Sequence, residues 1–192
     1  MTKSCQYIIL ISIFLLMVSP TVANSTFIDF EDQKKSSDGW RFVSKTINLT
    51  QNQNDSAYPQ ISSSLNNIFV VWEESVGDYG SKNYDIYLRK SNDSGVTFGS
   101  RINLSNNSGY SEHPQIASVG DNIYVVWVDN TSGKREIMFS KSSDSGKIFT
   151  PAKAISQNSI GPYHVELAAE GENVYVVWNG FDVKMNNVIL LT

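Results

Sequence analysis

A six-residue run that returns three times constrains this chain more than any other feature. Asn67-Ile68-Phe69-Val70-Val71-Trp72 recurs as Asn122-Ile123-Tyr124-Val125-Val126-Trp127 and again as Asn173-Val174-Tyr175-Val176-Val177-Trp178. The steps between copies are 55 and 51 residues. Self-similarity at such a period marks stacked supersecondary units. The second copy is apolar at every position from Ile123 to Val128. Strict alternation would leave one face wet, so an unbroken apolar strand implies cover on both faces.

The flanks repeat as well. Upstream stand Tyr58-Pro59-Gln60-Ile61, His113-Pro114-Gln115-Ile116 and His164-Val165-Glu166-Leu167. A hairpin signal precedes each repeated strand: Leu65-Asn66-Asn67, Gly120-Asp121-Asn122 and Gly171-Glu172-Asn173. Downstream come Asp85-Ile86-Tyr87-Leu88, then Glu136-Ile137-Met138-Phe139, and Asn187-Val188-Ile189-Leu190 as the third copy. Ser91-Asn92-Asp93-Ser94-Gly95-Val96-Thr97-Phe98 then matches Ser142-Ser143-Asp144-Ser145-Gly146-Lys147-Ile148-Phe149, both reading S-x-D-x-G-x-x-F. An Asp carboxylate can accept the amide hydrogens of its own turn. Gly supplies a backbone angle that other residues resist, and the Phe can fold back onto the apolar layer. Arg101-Ile102-Asn103-Leu104 and Ala152-Lys153-Ala154-Ile155 close the two units.

Each unit is thus expected to be four short antiparallel strands, buried on both faces and repeated about every fifty residues, which is a propeller blade. The S-x-D-x-G-x-x-F turn resembles the Asp-box, or bacterial neuraminidase repeat, of sialidase-like β-propellers, over roughly Ser36 to Thr192. The resemblance implies an all-β propeller, usually of six blades. It makes Ser91, Asp93, Gly95, Phe98, Ser142, Asp144, Gly146 and Phe149 structural box residues rather than catalytic ones. It does not by itself imply sialidase activity.

Residues 1–23 read as a secretory leader, with Lys3, an apolar stretch from Tyr7 to Val18, and small residues at Pro20-Thr21-Val22-Ala23. The apolar run is short of the about 20 residues that span a bilayer, so an uncleaved anchor is the lesser reading and the only expected membrane link. Cleavage would remove the single cysteine, Cys5, leaving no disulfide or thiolate chemistry. It would also move the net charge from −4 to −5 by removing Lys3. With no basic stripe, nucleic acid is not an expected partner. Asn-x-Ser/Thr patterns begin at Asn24, Asn48, Asn54, Asn92, Asn103, Asn106 and Asn130. They permit glycosylation in a secreted protein but also follow from Asn- and Ser-rich turns.

Residues 24–35 form a linker in which Phe27 to Phe30 can be a short strand. Ser36-Ser37-Asp38-Gly39-Trp40-Arg41-Phe42 resembles a worn box, making Val43 to Leu49 the last strand of a further blade. Blades follow at about 56–105 and 111–156, with an incomplete one at 163–192. About three blades fall short of the 4–8 that close a ring. The array therefore reads as a piece of a longer, six-bladed propeller, or as one that closes by homo-oligomerising.

Strand order sorts the loops. The first-to-second turns and the boxes share one end. The second-to-third loops and blade links share the other, where longer loops carry function. That end collects Glu73, Glu74, Asp78 and Tyr79, then Asp129, Lys134 and Arg135, then Asn179, Phe181, Asp182 and Lys184. Tyr58, His113 and His164 open the innermost strands and would ring the channel mouth, with Glu166 nearby. Competing readings make the two His ordinary strand-entry residues, Glu73-Glu74 a solvated loop edge, and the three repeated Trp core. No metal or cofactor is expected: two His without a spaced carboxylate make no metal site, and no acidic loop has the EF-hand spacing for Ca²⁺.

The resemblance would require three arginines gripping a carboxylate, a Tyr–Glu nucleophile pair and an Asp acid/base. The chain has four arginines, of which only Arg135 falls on the loop-rich end, and the Arg-Ile-Pro motif is absent. No catalytic residue is assigned. The first expectation is therefore a secreted or cell-surface noncatalytic module that binds carbohydrate or protein. The alternatives are part of a sialidase-like glycoside hydrolase with its catalytic residues elsewhere, and a structural envelope or adhesion module.

Overall fold

Runs of Val, Ile and aromatic residues between Gly-, Asn- and Ser-rich turns favour short pleated strands over helices. The computed structural model describes residues 46–77, 83–156, 159–182 and 184–192. The leader, the strand at 27–30, the worn box at 36–42, Asp78 and Tyr79 lie outside these residues. The described elements are all strands: β1 (Ser56–Ser64), β2 (Asn67–Val76), β3 (Asn83–Ser91), β4 (Ile102–Asn103), β5 (Ser111–Val119), β6 (Asn122–Asp129), β7 (Glu136–Ser142), β8 (Lys153–Ala154), β9 (Ile160–Glu170), β10 (Asn173–Phe181) and β11 (Asn187–Leu191). They make two four-stranded sheets, β1-β2-β3-β4 and β5-β6-β7-β8, and a three-stranded sheet, β9-β10-β11. Every pairing is antiparallel between sequence neighbours. These are three consecutive blades of a partial β-propeller, the third without an outer strand among the described residues.

The repeated strand feeds two cores. On β6, Ile123, Val125 and Trp127 face the first blade and join Phe69, Val71, Ile86 and Leu88. Val126 and Val128 face the other way, with Ile137, and meet Val165, Val176 and Trp178 of the third blade. Trp127 is fully buried, and Trp72 and Trp178 nearly so. The third blade follows a register one residue later than its sequence suggests. Trp178 pairs with Leu190 as Trp127 pairs with Met138, so Ile189, not Val188, matches Ile137. From the Trp to its partner on the next strand the chain runs 12 residues in the third blade and 11 in the second, and side-chain alternation sets the register.

The two boxes form the same turn. Ser91 and Ser142 each donate a hydroxyl hydrogen to Asp93 and Asp144, at 2.7 and 2.6 Å. The same hydroxyls accept the amides of Gly95 and Gly146 at 2.8 and 2.9 Å. Gly95 and Gly146 take φ of 90° and 76°, a region that disfavours side chains. A Cβ on Gly146 would stand 3.0 Å from the Phe69 ring of the preceding blade. Phe149 packs against the core between the first and second blades. The box amides also tie to the first hairpin of their own blade, Ser94 to the Asn66 carbonyl at 3.0 Å and Ser145 to that of Asp121 at 2.9 Å.

The surroundings of Asp93 and Asp144 differ in the Thr97 hydroxyl, which only Asp93 has, and in the Lys147 charge, which only Asp144 has. The Thr97 hydroxyl donates to Asp93 at 2.6 Å, and with the Thr97 amide and Ser91 it lowers the Asp93 carboxyl to about 2. Ile148 replaces that hydroxyl in the second box. A carboxyl depressed in the folded state contributes stability that is full above its unfolded pKa. That contribution is lost as pH falls through the folded value. For Asp93 the window runs from its ordinary value of 3.8 down to about 2. Thr97→Val should therefore raise the Asp93 pKa and leave that of Asp144 unmoved, as read by carboxyl-carbon NMR titration. A matching shift at both would refute the assignment. Trp127→Ala should cost about 3–5 kcal/mol in denaturant unfolding, because the site is sealed between two sheets.

Candidate functional site

The inner strands β1, β5 and β9 share one irregularity. In each, one extra residue bulges opposite the Trp of the second strand; β9 has a further shift between Asn179 and Phe181. The register shifts lie between Ala57 and Gln60 in β1 and between Glu112 and Gln115 in β5. In the third blade the shift falls where Glu166 pairs with Val177 and Tyr163 with Asn179. A bulge kinks a strand and re-aims a side chain. The residues it re-aims are Tyr58, His113 and His164, with φ of 50°, 54° and 48°. Left-handed backbone is uncommon for such residues. It is doubly so for Tyr58 and His113, because a following proline biases a residue toward extended backbone.

The three rings come together. Tyr58 and His113 meet edge to face with centroids 4.4 Å apart, and His113 and His164 lie 6.5 Å apart. Tyr163 flanks His164 at 5.0 Å. Tyr58 is 53% exposed, and His164 is exposed as well. Three blades thus each contribute one ring, from one equivalent position, to a single open cluster at the end opposite the boxes.

Glu73 and Glu74 are not a solvated loop edge. Both are buried, Glu73 with 7% exposure. Their polarity suggested solvent, but each has a specific partner. Glu73 accepts the His113 amide at 2.8 Å and so links the first blade to the ring. Burial pushes its carboxyl above the ordinary value of 4.5, against the opposing effects of that amide and of the His113 ring. Glu74 accepts the Trp72 indole N–H at 3.0 Å and ion-pairs with Arg101. Asp129, the equivalent residue in the second blade, accepts the Trp127 indole N–H at 3.3 Å. It also takes Ser111 at 2.8 Å, Asn107 at 2.7 Å and the Thr131 amide at 2.8 Å. Burial alone would raise its pKa, yet these hydrogen bonds outweigh it and the net shift is downward.

Beside the ring lies a cleft of about 350 Å³ lined by Tyr110, Glu112, Val128, Asp129, Asn130 and Arg135. Arg135 crosses it to Glu112 at 2.6 Å. Glu112 pairs with Val128 immediately before the bulge that holds His113, so the strand feeds the cleft and the ring with successive residues. Tyr84 stacks obliquely on Tyr110, with centroids 5.4 Å apart.

Several expected face residues stand apart from this cluster. Asp182 folds its own loop, accepting the amides of Asn186 at 2.9 Å and Lys184 at 2.8 Å. Lys134 pairs with Glu136 at 3.2 Å. Glu166 stands exposed farther along β9. Asn179 and Phe181 lie on β10, with Phe181 6.4 Å from Tyr163. Sequence reasoning missed Tyr110, Glu112 and Tyr163. The signal was present, since Glu112 and Tyr163 each precede a ring histidine. Among the described residues no group of three or more His, Cys, Asp or Glu could hold a metal ion. No described helix is long and apolar enough to cross a membrane.

No family model matches the chain, and no curated protein sequence is similar to it. Solved structures are similar to part of the chain. One is a thermostable family-43 glycoside hydrolase, at 14% identity and a TM-score of 0.47, over 71% of this chain and 53% of that one. A second is a glycosyl hydrolase from Bacteroides ovatus, at 13% identity and 0.48, over 75% and 52%. A third is the catalytic domain of a GH62 α-L-arabinofuranosidase from Coprinopsis cinerea, at 14% identity and 0.48, over 77% and 49%. The chain spans about half the length of these proteins. At such identities and TM-scores the likeness assigns no chemistry to this chain.

Glu73 gives this end its pH signature. A carboxyl raised in the folded state stabilises the fold below its unfolded pKa, and that contribution is lost as pH rises through the folded value. Glu73→Gln keeps an acceptor for the His113 amide and removes the buried charge. The variant should be more stable than the parent at pH 7, with the difference shrinking toward pH 4, in parallel denaturant titrations. Equal stability at pH 7 would contradict a buried, strained carboxylate.

Proposed function

We propose that the chain is part of a noncatalytic, carbohydrate-binding β-propeller module, secreted or displayed at the cell surface, and that the ring of Tyr58, His113 and His164 is its ligand platform. One observation carries the reading. Three blades hold an aromatic residue at the same bulged position in the same disfavoured backbone conformation, at an estimated cost on the order of 1–3 kcal/mol each. Such strain clusters at ligand clamps. Aromatic faces offer a sugar ring an apolar surface, and their polar edges offer hydrogen bonds. The adjacent cleft adds a cation at Arg135 and acceptors at Glu112 and Asn130. The two boxes support placing the propeller with the sialidase-like Asp-box group, and the leader-like residues 1–23 support export.

A second reading follows from Glu73. A buried carboxyl held above its ordinary pKa beside an open cluster is suited to proton donation. On this reading the chain is part of a glycoside hydrolase whose remaining catalytic groups lie outside it.

The test is titration with a panel of neutral and acidic oligosaccharides, followed calorimetrically and by Tyr and His NMR shifts. His164→Ala and Tyr58→Ala should weaken binding at least about tenfold, roughly 1.4 kcal/mol or more, without lowering the melting temperature, since both side chains are exposed. Binding left intact by both would remove the ring from the site. Release of a chromophore from aryl glycosides, abolished by Glu73→Gln, would favour the hydrolase.

A further inference from the structure

The ring position recurs in all three blades, but the residue before it does not. Ala57, Glu112 and Tyr163 precede Tyr58, His113 and His164. Ala57 pairs with Glu73, and Glu112 with Val128. The next strand differs between blades as well. Glu74 pairs with Asp85 as Asp129 pairs with Glu136, so Tyr84 stands where the second blade has Arg135. The ion pair of Glu112 with Arg135 is therefore a property of one blade and not of the repeat. Exposed ion pairs contribute little to stability, and 49% of the Arg135 side chain is exposed. Stability alone gives little reason for this pair.

The cleft around the pair leaves both charges with bonding capacity. Asp129 is engaged by Trp127, Ser111, Asn107 and the Thr131 amide. Glu112 meets Arg135 through Oε1, and among the described residues its Oε2 has no hydrogen bond. Arg135 uses one Nη of a fork that carries five donors. Tyr110 supplies an aromatic wall. Asn130 clamps its backbone, donating an amide to the Tyr110 carbonyl at 3.0 Å and accepting the Tyr110 amide at 2.7 Å. Tyr84 supports the Tyr110 ring from the first blade, with centroids 5.4 Å apart. The cleft volume of about 350 Å³ lies within the about 300–1,000 Å³ of small-molecule sites. Glu112 and His113 are consecutive, with Cα atoms about 3.8 Å apart, so the cleft adjoins the ring.

We propose that this cleft is a second sugar subsite, selective for uncharged residues, so that the ligand of the ring is a neutral oligosaccharide and not a single sugar. The inference rests on the reading of the ring as a carbohydrate platform. A hydroxyl both donates and accepts. Adjacent sugar hydroxyls can donate to Glu112 Oε2 and accept from the remaining Arg135 N–H groups. Such charge-assisted bonds are stronger than neutral ones. Tyr110 offers the apolar face of a sugar a matching surface. The lining sets two carboxylates, Glu112 and Asp129, against one guanidinium. Glu112 already neutralises Arg135 at 2.6 Å. A carboxylate on the sugar would therefore meet net negative charge and be repelled.

The experiment is calorimetric titration of the full chain with methyl glycosides and disaccharides of glucose, galactose and mannose, and with digalacturonate as the acidic counterpart. In at least one neutral series the disaccharide should bind about tenfold or more tightly than its methyl glycoside. Digalacturonate should bind more weakly than that disaccharide. Tyr110→Ala and Glu112→Gln should each bring the ratio of disaccharide to methyl glycoside affinity toward one. Glu112→Gln also leaves Arg135 without its counterion. It should raise digalacturonate affinity while lowering that of the neutral disaccharide, a reversal that general loss of structure would not produce. His164→Ala should instead weaken methyl glycoside and disaccharide alike. If Tyr110→Ala fails to fold, Glu112→Gln decides alone. Equal affinity for methyl glycoside and disaccharide overturns the subsite and leaves the ring standing. A parent that prefers digalacturonate, or a ratio that survives Glu112→Gln, also overturns the subsite. A parent that binds none of these sugars overturns ring and subsite together.

Discussion

Burial of the second strand of each blade on both faces is the constraint on which the rest depends. In β6, odd-numbered residues pack toward one neighbour and even-numbered ones toward the other. No sheet in such an array can be stable alone, since its core belongs half to the next sheet. Contacts between adjoining blades therefore have to be accurate. The Phe69 ring against Gly146 is one such contact, and it ties a turn of the second blade to the core of the first.

The same packing makes a strained site affordable. The bulge in each inner strand lies opposite the buried Trp, where the neighbouring strand is held from both sides. Rigid surroundings can keep Tyr58, His113 and His164 in left-handed backbone that a looser segment would relax. Placing the strain at the same point in three blades turns one local distortion into a convergent cluster. Glu73 then binds that cluster to the first blade through the His113 amide.

The blades, their order and the sorting of turns and loops to opposite ends were legible because they depend on residue patterns within single strands. The bulges were not, because Tyr58-Pro59 and His113-Pro114 favour extended backbone locally and only the sheet dictates otherwise. Glu73-Glu74 misled for a related reason. A pair of carboxylates looks solvated until Trp72, Arg101 and His113 are seen to approach it from three separate segments. Asp129 looked like a ligand contact and is largely engaged by Trp127, Ser111, Asn107 and Thr131. The register of the third copy was hidden because loop length, unlike side-chain alternation, does not repeat.

The indole hydrogen bonds differ across the blades in a way that bears on local opening. Trp72 and Trp127 each donate to a carboxylate on their own strand, whereas Trp178 donates to the hydroxyl of Ser159, just before β9. Gly180 occupies the place of the acid. The third indole is therefore fastened to the connection from the preceding blade rather than to its own sheet. Solvent exchange at that indole reports the fraying of a joint, while exchange at the other two reports the parting of sheets. Three copies of one side chain thus give three separate gauges of how such a stack comes apart.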